Sequence, residues 1–411
     1  MSERNKSASK SLASVIKNLK TFDKKEAAEY EETFKIGGMS LLNKKIKEDM
    51  SKWRNVPVNI AVTGSPGVGK SSFINKFRGV KPRTEGAAAV GVNETTTEPT
   101  KYMHPDNNSI ALWDLPGIGT QKFPKEKYLE EVGFERYDFF LILTATRFHE
   151  NDIWLAKKVE KLEKKFIFIR TKMNYDVDNN EKDNDESKFV TVDKIRNEMA
   201  QQIATEQFEN VKVYLIDNRD DQDYDFPILI EKMIKEAPVW KQEAMTLTLT
   251  SLTGDLINRK KNVLRKRIMI VALGSALGGA VPMPGVSIAV DKEIIMHEVD
   301  FYKQQFGLDD ESLQKMSLAL EIALENLKGR LRTAVSTVQM VTNFTTALVA
   351  SEITEKMTAY VLPVFGCIVA GGISYCSTAS ILWSLLDECV ADAQTINEQL
   401  VKRYSNQDFQ Q

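Results

Sequence analysis

Between residues 55 and 236 short apolar runs alternate with segments whose apolar residues recur at helical spacing, and outside those limits only the helical spacing persists. Residues 58–63, 108–113, 137–144, 165–171 and 211–216 read as strands. Their alternation with helical segments such as residues 71–77 predicts a mostly parallel sheet joined by crossover helices. Before that region, residues 9–53 carry Leu12, Val15, Ile16 and Leu19 on one helical face. After it, residues 240–400 show few turn signals and long amphipathic stretches. The expectation is an α/β domain at 55–236, inserted in an all-α domain that residues 1–54 and 237–411 build together. The acidic, Asn-rich stretch 176–188 reads as a solvated loop.

Two uncharged runs, 268–290 and 360–386, are long enough as helices to span about 30 Å of hydrocarbon. Gly279, Pro282, Pro284 and Gly285 interrupt the first, and Pro363, Gly366, Gly371 and Gly372 the second. Small residues suit close packing in a bilayer and in a soluble bundle alike. The breakers favour buried helical hairpins over integral spans. A third uncharged run, 333–351, carries Val335, Val338, Val341, Phe344 and Leu348 at spacings suited to one apolar face. The cluster Arg259, Lys260, Lys261, Arg265, Lys266 and Arg267 precedes the first run. Taken by charge it is a solvated helix face; beside an apolar hairpin it is a candidate for anionic lipid, at about 1 kcal/mol per basic residue.

Composition narrows the classes. Of 411 residues, 55 are Lys or Arg and 57 are Asp or Glu, so no global field points to nucleic acid. Cys367, Cys376 and Cys389 at these spacings do not suit zinc, and three histidines make a histidine metal centre improbable. Few cysteines and no secretory leader point to a reducing compartment. Ser2 stands where N-myristoylation requires glycine, so that anchor is not expected.

The sharpest chemical signal is Gly64-Ser65-Pro66-Gly67-Val68-Gly69-Lys70-Ser71-Ser72, between a strand-like and a helix-like run. This is a Walker A pattern in its proper context. Its glycines allow main-chain N–H groups to turn around an oligophosphate at the positive end of a helix. Lys70 is placed for the outer phosphates and the Ser71 hydroxyl for Mg²⁺. A glycine turn without ligand has no need of Gly-Lys-Ser. Asp114-Leu115-Pro116-Gly117 follows the 108–113 strand; Asp114 fits a Mg²⁺-bound water and the Gly117 N–H the γ-phosphate. Thr95-Thr96-Thr97 lies between the two motifs and supplies a hydroxyl for the same metal.

A base site is predicted at Thr171-Lys172-Met173-Asn174, after the strand at 165–171. Lys172 suits packing over a purine. Guanine presents two adjacent donors, and Asn174 offers one acceptor and one donor where a carboxylate would accept both. Losing one charged hydrogen bond costs roughly 1.5–3 kcal/mol, or about 10–150-fold in affinity. Asp176 substitutes only with a shift of loop register. Ile118 follows Gly117, where Ras-like GTPases place a glutamine that orients the attacking water.

These residues resemble a particular family, the interferon-inducible immunity-related GTPases. The resemblance rests on the Walker loop running into Ser72-Phe73-Ile74-Asn75, then Arg78-Gly79, Glu85-Gly86-Ala87-Ala88, and Trp113 through Gly119. It continues in Tyr137-Asp138-Phe139-Phe140, Ala145-Thr146-Arg147-Phe148, Asn151-Asp152, Arg170-Thr171-Lys172, Tyr224-Asp225-Phe226-Pro227 and, more loosely, Phe306-Gly307-Leu308-Asp309. It implies an α/β P-loop GTPase domain of Ras-like type, with helices on both faces of the sheet, inserted in a helical domain. It further implies Mg²⁺-dependent GTP hydrolysis through dimers or oligomers of the nucleotide domain, and a cytoplasmic protein peripherally bound to intracellular or pathogen-containing vacuole membranes.

By the same resemblance Lys70 is the phosphate lysine of the competent subgroup, Ser71 and Thr96 are metal ligands, and Asp114 acts through water. Glu94 is the switch glutamate linked to catalysis across the dimer. Gly64, Gly67, Val68, Gly69, Ser72 and Gly117 complete the phosphate site. Thr171, Lys172, Asn174, Asp217 and Asn218 complete the base site, where Asp217-Asn218 replaces the family's Ser-Asn. The alternative left open by Asn174 and Ile118 is a nucleotide-dependent scaffold with slow hydrolysis and altered base specificity.

Overall fold

The computed structural model describes residues 24–91, 98–118, 123–208, 210–219, 224–249, 253–278, 286–334, 338–339, 342 and 372–407. Glu94, Thr95–Thr97, Gly119, the helical positions Leu12 to Leu19, the breakers between 279 and 285, and most of the runs at 333–351 and 360–371 lie outside them. The chain forms two compact units, one from residues 54–251 and one from the segments before 54 and from 252 to 399.

The first unit is built on a six-stranded sheet. Its strands are β1 (Val58–Gly64), β2 (Thr100–His104), β3 (Asn107–Asp114), β4 (Phe139–Thr144), β5 (Lys165–Arg170) and β6 (Val213–Leu215), ordered β2-β3-β1-β4-β5-β6. All neighbours are parallel except β2 and β3, which form an antiparallel hairpin at one edge. Every residue of β4, Phe139-Phe140-Leu141-Ile142-Leu143-Thr144, is buried. A strand buried at both alternating sets of side chains is covered on both faces, which is why its sequence reads as a continuous apolar run. At the edge, β2 alternates half-buried and exposed until His104.

The helices of this unit are α2 (Lys70–Phe77), α3 (Tyr128–Glu131), α4 (Glu150–Lys161), α5 (Met173–Asn184), α6 (Lys188–Thr205), α7 (Phe226–Glu236) and α8 (Val239–Thr248). α1 (Lys24–Ser51) belongs to the other unit. One core joins Phe140 and Ile142 of β4 and Phe168 of β5 to Phe134, Phe148, Leu155, Ile203 and Phe208. The Phe134 and Phe140 rings stack at 5.2 Å.

The predicted loop at 176–188 is instead most of α5 and the start of α6. Its polar composition hides two apolar anchors, Met173 and Val177, which are buried one turn apart. Lys172 caps the helix in the left-handed conformation at φ 60°, and the buried Arg170 guanidinium holds Asp176 in the first turn. Asn180 Nδ2 donates to the Asp176 carbonyl at 3.0 Å, and Asn184 Nδ2 to Asn180 Oδ1 at 3.0 Å.

The α/β unit also continues past residue 236 to take in α8. Lys241 Nζ donates to both carboxylate oxygens of Asp138 at 2.8 Å, while Asp138 Oδ2 accepts the Asn59 N–H at 2.8 Å. Asn107 Nδ2 donates to Thr248 Oγ1 at 3.0 Å. These bonds join α8 to the ends of β1, β3 and β4, and they explain why β4 starts only after Asp138.

The second unit holds α1, α9 (Gly254–Gly278), α10 (Val286–Gln305), α11 (Asp310–Leu320), α12 (Leu324–Lys328) and, up to residue 399, α13 (Gly372–Gln407). Gly38 interrupts α1 at φ 59° and ψ −156°. Of the basic cluster on α9, Lys260 and Arg267 are withdrawn into this unit, while Arg259, Lys261 and Arg265 are part-exposed in ion pairs and Lys266 is exposed, as a solvated helix face would have them. Lys260 is fully buried, donates to the Gln305 carbonyl at 2.6 Å, and burial pushes its ammonium down to about 7. Lys261 and Arg265 share Asp387 at 2.9 and 3.7 Å, and Arg259 reaches Asp255 at 3.4 Å. Arg267 grips both oxygens of Glu298 at 2.7 and 2.8 Å and donates to the Met50 carbonyl at 2.9 Å. Among the described residues no helix is long and apolar enough to cross a membrane.

Glu298 is 1% exposed, so its charge depends on Arg267. Arg267→Ala is expected to destabilise the helical unit by about 3–5 kcal/mol, the usual consequence of stranding a buried charge. Hydrogen exchange resolved by unit checks it: faster exchange in α1, α9 and α10, with the β-sheet amides unchanged.

Candidate functional site

The phosphate loop runs from the end of β1 into α2, and its glycines are required by geometry. Gly64 has φ 143°, and a Cβ there would lie 2.2 Å from the Leu143 carbonyl oxygen. Gly69 caps α2 at φ 94°, where a Cβ would lie 3.0 Å from Asn218 Nδ2. Gly67 is also left-handed at φ 78°. Val68 is buried beneath the loop, and Ser71 and Ser72 are half-buried in the first turn of α2. Lys70 Nζ lies across the loop, donating to the carbonyls of Gly64 at 2.9 Å and Ser65 at 3.3 Å.

Neighbouring strands brace this loop. The fully buried Thr171 donates its hydroxyl to the Val68 carbonyl at 2.6 Å and stands 3.1 Å from that of Thr144. Asn218 Nδ2 donates to the Gly69 carbonyl at 3.1 Å. Lys76 of α2 donates to the Asp217 carbonyl at 2.6 Å, with its ammonium 4.3 Å from the centre of the Phe226 ring. Thr171 and Asn218 thus meet the phosphate loop through its main chain.

Parallel pairing of Val62 with Asp114 carries the second motif beside the first. Asp114 is 2% exposed, and the Ser71 hydroxyl donates to its Oδ2 at 3.2 Å. A hydroxyl and a carboxylate side by side, next to a main-chain cradle for phosphate, are the hard oxygen set that suits Mg²⁺. The turn after Asp114 is held by a buried residue that sequence reasoning passed over. Tyr128 donates to the Pro116 carbonyl at 2.9 Å and stands 3.1 Å from Thr63 Oγ1, linking the Gly117 turn to the strand before the phosphate loop. Ile118 packs against the apolar core, and its carbonyl accepts Asn151 Nδ2 at 3.2 Å.

At the base end, Lys172, Asn174, Asp217 and Asn218 converge. The Asn174 N–H donates to Asp217 Oδ2 at 3.0 Å, and the Arg219 N–H donates to Asp217 Oδ1 at 2.9 Å. Tyr224 donates its phenol to Asn174 Oδ1 at 2.7 Å. Asp176, the alternative base reader, is instead held by Arg170. Leading toward residues 92–97, Asn75 exchanges two hydrogen bonds with the Ala88 main chain at 2.7 and 2.8 Å, and Arg78 donates to the carbonyls of Gly86 and Met103.

The sequence profile of a family described as Interferon-inducible GTPase (IIGP) matches residues 24–400. The chain belongs to this family. It is 31% identical over 381 residues to Interferon-inducible GTPase 5 of Rattus norvegicus, covering 91% of this chain and 82% of that one. It is 38% identical over 280 residues to T-cell-specific guanine nucleotide triphosphate-binding protein 2 of Mus musculus, covering 68% and 67%. Likeness to solved structures is weaker. Era of Aquifex aeolicus, bound to GDP·AlF4⁻, aligns over 53% of this chain and 66% of that one at 18% identity and a TM-score of 0.30, and adds nothing to the topology described above.

As an interferon-inducible GTPase the chain is a GTP hydrolase. The donors that would meet the triphosphate are main-chain amides fixed by the glycines, with one ammonium beside them, so recognition of phosphate depends on how rigidly the loop is held. Tyr128 carries no local sequence signal, because it acts through its hydroxyl on Thr63, 65 residues away. Tyr224 lies in a segment that resembles the family, but its bond to Asn174 shows only in the fold. Thr171→Val is expected to leave the Val68 carbonyl without its donor and weaken Mg²⁺·GTP binding about tenfold, from about 1–3 kcal/mol of lost bracing. Thr171→Ser, which keeps the hydroxyl, is expected to bind as the parent does. Nucleotide titration of the two variants checks both.

Proposed function

We propose that this interferon-inducible GTPase binds Mg²⁺·GTP in the Gly64–Ser72 cradle and hydrolyses it when two α/β units meet. The reading rests chiefly on one observation: the Ser71 hydroxyl lies 3.2 Å from the buried Asp114 carboxylate, beside a glycine loop crossed by Lys70. Ser71 and Asp114 would hold the metal, Asp114 through water. Lys70 and the loop amides, with the Gly117 N–H, take the charge that develops on the phosphoryl oxygens as the β–γ bond breaks. When bound, Mg²⁺ would supply neutralisation of the negative charge on the phosphates.

Water must also be positioned for attack. Ile118 has no polar group for this, and it packs half-buried against the core. A slow isolated chain follows. Glu94 and Thr96, placed by resemblance to the family, complete the site in a dimer or oligomer, Thr96 as a metal ligand and Glu94 across the interface. The protein then acts peripherally on intracellular membranes, in defence against pathogens held in vacuoles.

Turnover per molecule is expected to rise with protein concentration, and Glu94→Ala to abolish that rise while GTP affinity is retained. Phosphate release measured over a wide range of protein concentrations decides it. A rate per molecule that stays flat for the parent chain contradicts activation by assembly.

A further inference from the structure

The surroundings of Asn174 decide which purine the site can read. Among the described residues two carboxylates, Asp176 and Asp217, lie beside Asn174, and both are committed elsewhere. Asp217 is 5% exposed and spends Oδ2 on the Asn174 N–H and Oδ1 on the Arg219 N–H. Asp176 is clamped by Arg170, itself 5% exposed and bonded to the Thr171 carbonyl as well. Swinging either toward a base would strand a buried main-chain donor or a buried guanidinium. Among the described residues the group left at this position is the Asn174 carboxamide. Its Oδ1 takes the Tyr224 phenol at 2.7 Å, which fixes the amide plane and leaves a second lone pair of that oxygen open.

The three oxopurines differ at C2, beside the common N1–H. Guanine carries an amino group there, xanthine a carbonyl and hypoxanthine only C–H. When Oδ1 accepts N1–H, Nδ2 faces the C2 substituent. Against guanine this sets donor against donor. Against hypoxanthine one bond is made and nothing is opposed. Against xanthine both members of the amide are satisfied, since Nδ2 donates to the C2 carbonyl. A site whose polar groups must pair discriminates strongly against a ligand that leaves one opposed.

Resting on the triphosphate site proposed above, we infer that Asn174, held by Tyr224 and Asp217, makes this pocket favour xanthosine triphosphate over GTP, with inosine triphosphate between them. The family's GTP hydrolysis is retained, because the phosphate and metal groups do not touch C2. Selectivity among oxopurine nucleotides is what changes.

Calorimetric titration of the full chain with the Mg²⁺ complexes of GTP, ITP and XTP tests this. The parent chain is expected to bind XTP about tenfold more tightly than GTP, the value of one hydrogen bond gained and one opposition removed. Asn174→Asp is expected to reverse that order, and Asn174→Ala, which reads nothing at C2, to bring the three nucleotides together. Parity or a preference for GTP in the parent chain overturns the inference and leaves the phosphate site standing. So does an XTP-to-GTP ratio that neither variant moves. If none of the three triphosphates binds, the phosphate site itself is wrong and the inference falls with it.

Discussion

Only a hydrogen fits at residue 64 on the side facing β4. A methyl there would meet the Leu143 carbonyl at 2.2 Å, so the end of β1 can approach β4 only because that residue is glycine. This close approach sets where the phosphate loop begins. It also lets Thr171, from the end of β5, reach under the loop and hold the Val68 carbonyl. Parallel pairing of β1 with β3 then carries Asp114 to the Ser71 hydroxyl. The sheet is thus the instrument that brings together groups more than forty residues apart, and the loop is shaped by strands rather than by its own contacts.

Much of the α/β unit is legible from sequence because its demands are stereochemical. Gly64, Gly67 and Gly69 all adopt left-handed backbone, and the unbroken apolar run of β4 states that both its faces are covered. What stays hidden depends on partners far along the chain. The basic cluster of α9 reads as one charged surface, and the burial of Arg267 against Glu298 shows only in the fold. α5 reads as loop because Met173 and Val177 are its only buried residues. Thr171 reads as part of a base motif, yet its hydroxyl serves the phosphate loop. The continuation of the α/β unit through α8 was invisible because Lys241 and Asp138 are ordinary surface residue types that here pair in a buried position.

Two residues set this chain apart within a conventional nucleotide fold, and they act at opposite ends of the ligand. Ile118 places a half-buried apolar side chain against the core where a water-orienting group would serve hydrolysis. Asn174 places an amide where a carboxylate would read guanine, within a frame of Tyr224, Asp217 and Arg219 that fixes how it is presented. The phosphate cradle between them has its glycine loop, Lys70 and the Ser71–Asp114 pair in place. On the function proposed above, affinity comes from the phosphates and the metal, and the base contributes selectivity.

The most direct test of that division is GTP binding by the full chain measured with and without Mg²⁺, alongside Lys70→Ala and Ser71→Ala. Tight binding that needs the metal, lost in the lysine variant and made metal-independent and weak in the serine variant, is the predicted result. Binding that is indifferent to Mg²⁺ and to both substitutions would contradict the account.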